Sequence, residues 1–125
     1  MFDKFNQGRT AILLAILIVI IYFVYQGRNT PSELIYNGKI VEIADHAACR
    51  MDCRKVSKED VRQVLLKGKQ NDEKSEPNHP SCPRFVLESK TNNKEALRIV
   101  IADCEDKAIL ITVIDLKNNY KCDCE

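Results

Sequence analysis

The chain lacks most of the signatures from which a catalytic or nucleic-acid-binding function is usually read. It has four glycines in 125 residues, and none forms the glycine-rich loop that cradles phosphates. No Ser-His-Asp arrangement and no pair of carboxylates placed for acid–base work stands out, which removes the commonest hydrolytic schemes. Formal net charge is only +1, too little to draw in a polyanion by charge alone. The one locally basic stretch, residues 46–69, carries seven Lys/Arg against three acidic residues but no aromatic side chain. Single-stranded nucleic acid is held by bases stacking on aromatics, so nucleic acid is not the expected partner and a solvated helical face is the simpler account. Internal repeats and low-complexity tracts are absent, and the acidic run at 71–76 reads as a solvated loop.

What the chain does have is one apolar run near the N-terminus and six cysteines beyond it. Residues 10–25 read TAILLAILIVIIYFVY, without a charge. As a helix rising about 1.5 Å per residue this run spans roughly 24 Å, a little short of a hydrocarbon core of about 30 Å. Tyr22, Phe23 and Tyr25 cluster at one end, as at a headgroup boundary, and Lys4, Arg9 and Arg28 can snorkel from the flanks. A cleaved signal peptide would have small residues at the cleavage site; here bulky aromatics precede Gln26-Gly27-Arg28. No cysteine follows the run in the lipoprotein position. A buried core helix is the remaining alternative, but a run apolar on every face suits lipid better. The expectation is an uncleaved single-span anchor at 10–27, with a cytoplasmic segment at 1–9. The flanking positive charges are nearly balanced, so orientation falls to the cysteines.

Those cysteines are Cys49, Cys53, Cys82, Cys104, Cys122 and Cys124. An even thiol set confined to one small domain points to disulfides and to an oxidising compartment. The domain is therefore expected outside the cytoplasm, on the periplasmic side of a bacterial inner membrane. Cys49 and Cys53 lie four apart and Cys122-Asp123-Cys124 supplies two more thiols, so the pairing we prefer joins the helix cysteines to the tail and Cys82 to Cys104. Fifteen pairings are possible. The alternative for Cys49, Cys53, Cys122 and Cys124 is a tetrahedral zinc site, although the pairs lack Cys-x-x-Cys knuckle spacing. No cofactor is called for otherwise.

Beyond a short tether at 28–34, residues 35–125 suffice for one small domain. Residues 35–43 read as a first strand broken by a turn at Asn37-Gly38, and Asp45 is placed to cap a helix over 46–55. Ser57 followed by Asp60 forms a capping-box pattern, with Val56 able to staple against Val61. Val61, Val64 and Leu65 give that helix its apolar face, and Gly68 ends it. Residues 69–83, with three of the four prolines, read as an exposed loop. Strands follow at 84–89, 96–103 and 108–116, joined by short turns that favour an antiparallel meander. The last is apolar on both faces, which predicts a central position covered on both sides. The fold class is α+β: an N-terminal transmembrane helix, then two short helices packed on an antiparallel sheet of about four strands.

His46, Arg50 and Arg54 are spaced by four and share a helical face. A histidine can move a proton near neutral pH and arginines can hold a phosphate, so a metal-independent phosphodiesterase or a phosphate-binding face is chemically possible, with Thr112 or Tyr120 as a hydroxyl source. The plainer account has His46 packing or capping the helix while the arginines pair with carboxylates or solvent.

The same residues carry a resemblance. His46, the pair Arg50-Met51, then Arg54 and the helix-opening Ser57 resemble the hallmark of a bacterial family known as domain of unknown function 4258. Glu59, Asp60, Val61 and Gly68 fit its second helix, and the later strands are similar to its closing hairpin. The likeness covers about 40–115. It implies a fold comparable to the small ribonucleases of the barnase–EndoU–colicin–RelE group, in which helices precede an antiparallel sheet; it does not establish activity. The anchor, the helix cysteines and the cysteine-bearing tail depart from the family pattern and speak against an intracellular toxin. The reading is thus a non-enzymatic single-span membrane protein that presents a cysteine-rich binding module to an unknown protein partner or to the cell wall. The alternatives are a ribonuclease-like domain using His46, Arg50 and Arg54, and a zinc-binding domain.

Overall fold

A computed structural model describes residues 2–28 and 33–124; most of the expected tether at 28–34 lies outside the described residues. The chain divides into two units, one holding the N-terminal helix and one starting at Glu33. The first is a single helix, α1 (Phe2–Arg28). Its stretch Asn6–Arg28 is 23 residues long, with no part of it buried. That is about 35 Å at 1.5 Å per residue, enough to cross a hydrocarbon core of about 30 Å. Helical backbone thus continues past the uncharged run at both ends, making up the length that the run alone lacks.

The second unit runs β1 (Ile35–Tyr36), β2 (Lys39–Ile43), α2 (Asp45–Cys53), α3 (Lys58–Lys67), β3 (Lys69–Gln70), β4 (Arg84–Ser89), β5 (Leu97–Asp103) and β6 (Ala108–Asp115). It is α+β, but the sheet is larger than the expected four antiparallel strands. Among the described residues it has six, in the order β1-β2-β6-β5-β4-β3. The β2–β6 pair is parallel, with Val41 opposite Ala108 and Ile43 opposite Leu110; every other neighbouring pair is antiparallel. Turns and periodicity report neighbours along the chain, and this pairing joins residues far apart in sequence.

Local chemistry explains the elements that sequence patterns did locate. Asn37 and Gly38 both have positive φ, 49° and 76°, the conformation of a two-residue hairpin turn whose twist matches its strands. Ser57 caps α3 in a full capping box: its hydroxyl accepts from the Asp60 N–H, and the Asp60 carboxylate accepts from the Ser57 N–H. Asp60 is itself buried and accepts from Thr91 as well, so one carboxylate both starts α3 and ties down the β4–β5 turn. Gly68 ends α3 for a reason other than backbone handedness. A Cβ there would stand 2.4 Å from the Val64 carbonyl oxygen and 3.1 Å from Val64 Cγ1. Gly68→Ala should therefore cost on the order of 1–3 kcal/mol, read as a lowered midpoint in urea; an unchanged midpoint would show that the turn yields freely.

Helix α2 departs from expectation at both ends. Ala44, not Asp45, occupies the N-cap, without a side-chain bond; Asp45 sits in the first turn, where its charge favours the helix dipole. At the other end Lys55 takes a left-handed φ of 55°, while the Val56 N–H reaches the Met51 carbonyl and the Lys55 N–H the Asp52 carbonyl. These are the two bonds of a Schellman stop, and they end the helix at Cys53. Glycine suits that position better than lysine, so Lys55→Gly should stabilise by about 1 kcal/mol; a loss of stability on thermal unfolding would contradict this.

The core lies between α2–α3 and one sheet face. Ala47 and Met51 from α2 and Val61 and Val64 from α3 meet Leu87, Leu97, Ile99, Ile101, Leu110 and Val113. In β6 this face buries Ala108, Leu110 and Val113, whereas Ile109, Ile111 and Ile114 remain half-buried. The strand is central, between β2 and β5, but it is not covered on both faces as its composition suggested. The segment 69–83 is also not simply a free loop. It begins with β3 and hydrogen-bonds back to β4 through the Asn71 and Glu76 N–H groups.

Candidate functional site

Strand β6 is longer than its parallel neighbour. β2 pairs with it only over Ala108–Leu110, leaving residues 111–115 as an edge on that side. Unpaired edge groups need partners, and α2 supplies them. The Ala44 N–H donates to the Leu110 carbonyl, Arg50 Nη1 donates to Thr112 Oγ1 at 2.6 Å, and Arg54 Nη1 donates to the Val113 carbonyl. The four-residue spacing that puts these arginines on one helical face lines them up along the strand edge. These bonds go to neutral oxygens of β6, and neither arginine forms an ion pair with a carboxylate of the described residues, unlike the carboxylate pairing the plainer account offered.

Beyond β6, residues 116–124 form an irregular strap alongside α2. Disulfides join Cys49 to Cys124 and Cys53 to Cys122. The earlier helix cysteine takes the later strap cysteine, so the strap runs antiparallel to the helix. The same four sulfurs are the zinc set considered above; bonded in pairs, they offer no thiolate to a metal. The third disulfide, Cys82–Cys104, lies just beyond the opposite end of β5 from the strap.

Helix and strap enclose a cleft of about 470 Å³ lined by His46, Arg50, Arg54, Tyr120, Lys121, Cys122, Asp123 and Cys124. All three sequence candidates, His46, Arg50 and Arg54, are thus brought together, with Tyr120 in the same wall and Thr112 behind Arg50. His46 Nδ1 lies 2.7 Å from the Cys124 carbonyl oxygen. A carbonyl can only accept, so Nδ1 carries the proton and a neutral ring presents Nε2 as an acceptor. Burial, and then the charge of Arg50, lower the Arg54 guanidinium pKa, while Asp115 opposes them.

Lys94 anchors the strap's near end and had no signal in the sequence, where it sits in a predicted turn. Its ammonium donates to the Arg54 carbonyl at 3.0 Å and lies 3.4 Å from the Tyr120 hydroxyl. It also pairs with Asp115 at 3.3 Å, and the two side chains are 9% and 0% exposed. Burial works against its charge, but Tyr120 and Asp115 outweigh that and raise its pKa. Burial would likewise raise the Asp60 and Asp115 carboxyls. Hydrogen bonds from Ser57 and Thr91 in one case, and from Asn118, Lys117 and Lys94 in the other, hold both below the ordinary range.

These lowered values have a consequence for acid stability. The stabilisation is complete above the unfolded carboxyl pKa of about 3.9 and is lost as pH falls through the lower folded values. Unfolding should therefore steepen below about pH 4, and Asp60→Asn should flatten that dependence in a pH series of urea midpoints. An identical slope in the variant would mean that Asp60 is not the group being titrated.

Residues 43–115 match a protein-family model described as a domain of unknown function, DUF4258. The chain belongs to this family. The span matched to DUF4258 takes in α2 with His46, Arg50 and Arg54 and ends with β6, so in this DUF4258 protein the strap residues Tyr120–Cys124 lie beyond it. No curated protein and no solved structure gives a significant match.

Proposed function

We propose that this DUF4258 domain is a binding module carried on a single membrane anchor and displayed in an oxidising compartment, on the periplasmic side of a bacterial inner membrane. The observation that carries the reading is that all six cysteines, every one of them beyond α1, are paired in disulfides. Such pairs persist where thiols are not kept reduced, and α1 has the length and composition to hold the unit there. Binding is favoured over catalysis because, in the lining of the cleft, His46 is the one side chain of a type that moves protons near neutral pH, which leaves it without a second such acid or base among the described residues of the lining.

The test is a thiol count on full-length protein extracted from membranes under alkylating conditions. No free thiols are expected. Six free thiols would overturn the reading, and stoichiometric zinc in that material would replace it with the metal-binding alternative. Incubating the oxidised protein with RNA addresses the ribonuclease alternative: cleavage abolished by His46→Ala would establish it, and intact RNA is the expected result.

A further inference from the structure

We propose that the cleft between α2 and the strap is an anion site for a phosphate-bearing ligand, and that the strap must be disulfide-latched for the site to exist. The proposal rests on the binding-module reading and names its ligand class.

The first argument is charge. Most of the half-buried cations of the domain pair with a carboxylate: Lys39 with Asp103, Arg62 with Glu59, Lys94 with Asp115, Arg98 with Glu88 and Lys107 with Glu42. Among the described residues the half-buried Arg50, Arg54 and Arg84 are the exceptions. Neither Arg50 nor Arg54 makes an ion pair with a carboxylate of the described residues, and each donates to a neutral oxygen of β6. Lys121 enters the same cleft from the strap, and Asp123 is the one carboxylate in the lining. Three permanent cations against one carboxylate leave a net +2 with His46 neutral, in a protein whose whole formal charge is +1.

The second argument is donor chemistry. A guanidinium has five N–H donors in a planar fork that suits phosphate oxygens. Each arginine retains donors after serving β6, and that first bond restricts its side chain in advance, so less entropy is lost when an anion binds. At about 470 Å³ the cleft is within the size range of small-ligand sites. A phosphomonoester or a pyrophosphate fits that volume. The same chemistry is offered by a soluble phosphoester and by a lipid headgroup.

The third argument is construction. Tyr120, Lys121 and Asp123 belong to a segment without regular secondary structure, tied to α2 by Cys49–Cys124 and Cys53–Cys122. Opening both bonds frees one wall and removes Lys121, while the helix-borne residues stay in place.

The experiment uses the full-length oxidised protein in nanodiscs of zwitterionic lipid, titrated with inorganic phosphate and pyrophosphate and followed by calorimetry and 31P NMR. Pyrophosphate should bind, and Arg50→Gln should weaken it at least tenfold. Lys121→Gln should weaken it several-fold, and Lys67→Gln, exposed on α3, should leave it unchanged. Replacing Cys49, Cys53, Cys122 and Cys124 by serine should abolish binding while the amide exchange protection of the β4–β6 backbone is retained. Repeating the titration in nanodiscs of anionic lipid separates the sources: loss of pyrophosphate binding there identifies headgroups as the occupant, and unchanged binding identifies a soluble ligand. Absence of binding in zwitterionic nanodiscs at millimolar pyrophosphate, or binding indifferent to Arg50→Gln and Lys121→Gln, would overturn the proposal. With no free thiols in the same sample, that failure would leave the displayed-module reading standing. Binding that persists in a folded serine variant would overturn the latch.

Discussion

Full reduction of the three disulfides is expected to unfold the unit that begins at Glu33, and the cost of opening the two strap bonds should depend on the order of opening. Their sequence separations are 75 and 69, and that of Cys82–Cys104 is 22. In the chain-entropy account a loop of about 70 residues is worth ~4.5 kcal/mol and one of about 22 residues ~3.3 kcal/mol. The strap bonds are nested, however. With Cys53–Cys122 in place, Cys49–Cys124 closes only a small ring of about eight residues, worth ~2.5 kcal/mol on the same scale. Removing either strap bond alone should thus cost ~2.5 kcal/mol, and removing the second a further ~4.5 kcal/mol. All three together reach ~10 kcal/mol, comparable to the whole stability of a small domain at ~5–15 kcal/mol. Urea unfolding of Cys49→Ser/Cys124→Ser, of Cys53→Ser/Cys122→Ser and of the fourfold variant measures this directly. Two equal losses that simply add would show that the bonds constrain the unfolded chain independently.

The second large effect is expected at Lys94. Lys94→Met removes the cation from a pair in which both side chains are almost wholly buried, and it leaves the Arg54 carbonyl and the Tyr120 hydroxyl without that donor. Breaking one side of a buried pair costs ~3–5 kcal/mol because the remaining charge is stranded. Asp115 keeps the Lys117 and Asn118 N–H groups, which favours the lower part of that range. Asp115→Asn retains an acceptor for those groups and should cost less. The double variant should then be more stable than the sum of the two losses, because the stranded charge is gone. Strict additivity in thermal or urea unfolding would mean that the pair is a contact of geometry without energetic coupling.

Much of the fold was legible wherever one residue sets local geometry. Asn37-Gly38 dictates a hairpin turn, Ser57 and Asp60 dictate a helix start, and short apolar runs separated by turn residues mark β4 to β6. The cleft was half legible. Four-residue spacing put His46, Arg50 and Arg54 on one face, and the paired spacing of the cysteines suggested which segment faces α2. What could not be read was long-range. Nothing near Val41 announces Ala108, and nothing near Arg54 announces that its guanidinium bonds the Val113 carbonyl. Lys94 and Asp115 were invisible for a related reason: a charged residue in a turn or at a strand end is ordinarily exposed, and only the packed structure shows that these two are not. The two-faced apolar pattern of β6 misled because Ile109, Ile111 and Ile114 are only half-covered.

The parallel pairing of β2 with β6 also fixes an order in time. β2 precedes and β6 follows β3, β4 and β5, so β2 cannot gain its parallel neighbour until all three have been made. Until then β2 has only the two-residue β1 beside it, and Cys49 and Cys53 wait for partners that follow β6. Cys82 arrives well before Cys122 and Cys124, which makes it the first thiol from outside α2 available to either helix cysteine. Any bond that a helix cysteine makes with Cys82 must be exchanged before the strap can dock, and such exchange runs on a timescale of seconds to hours.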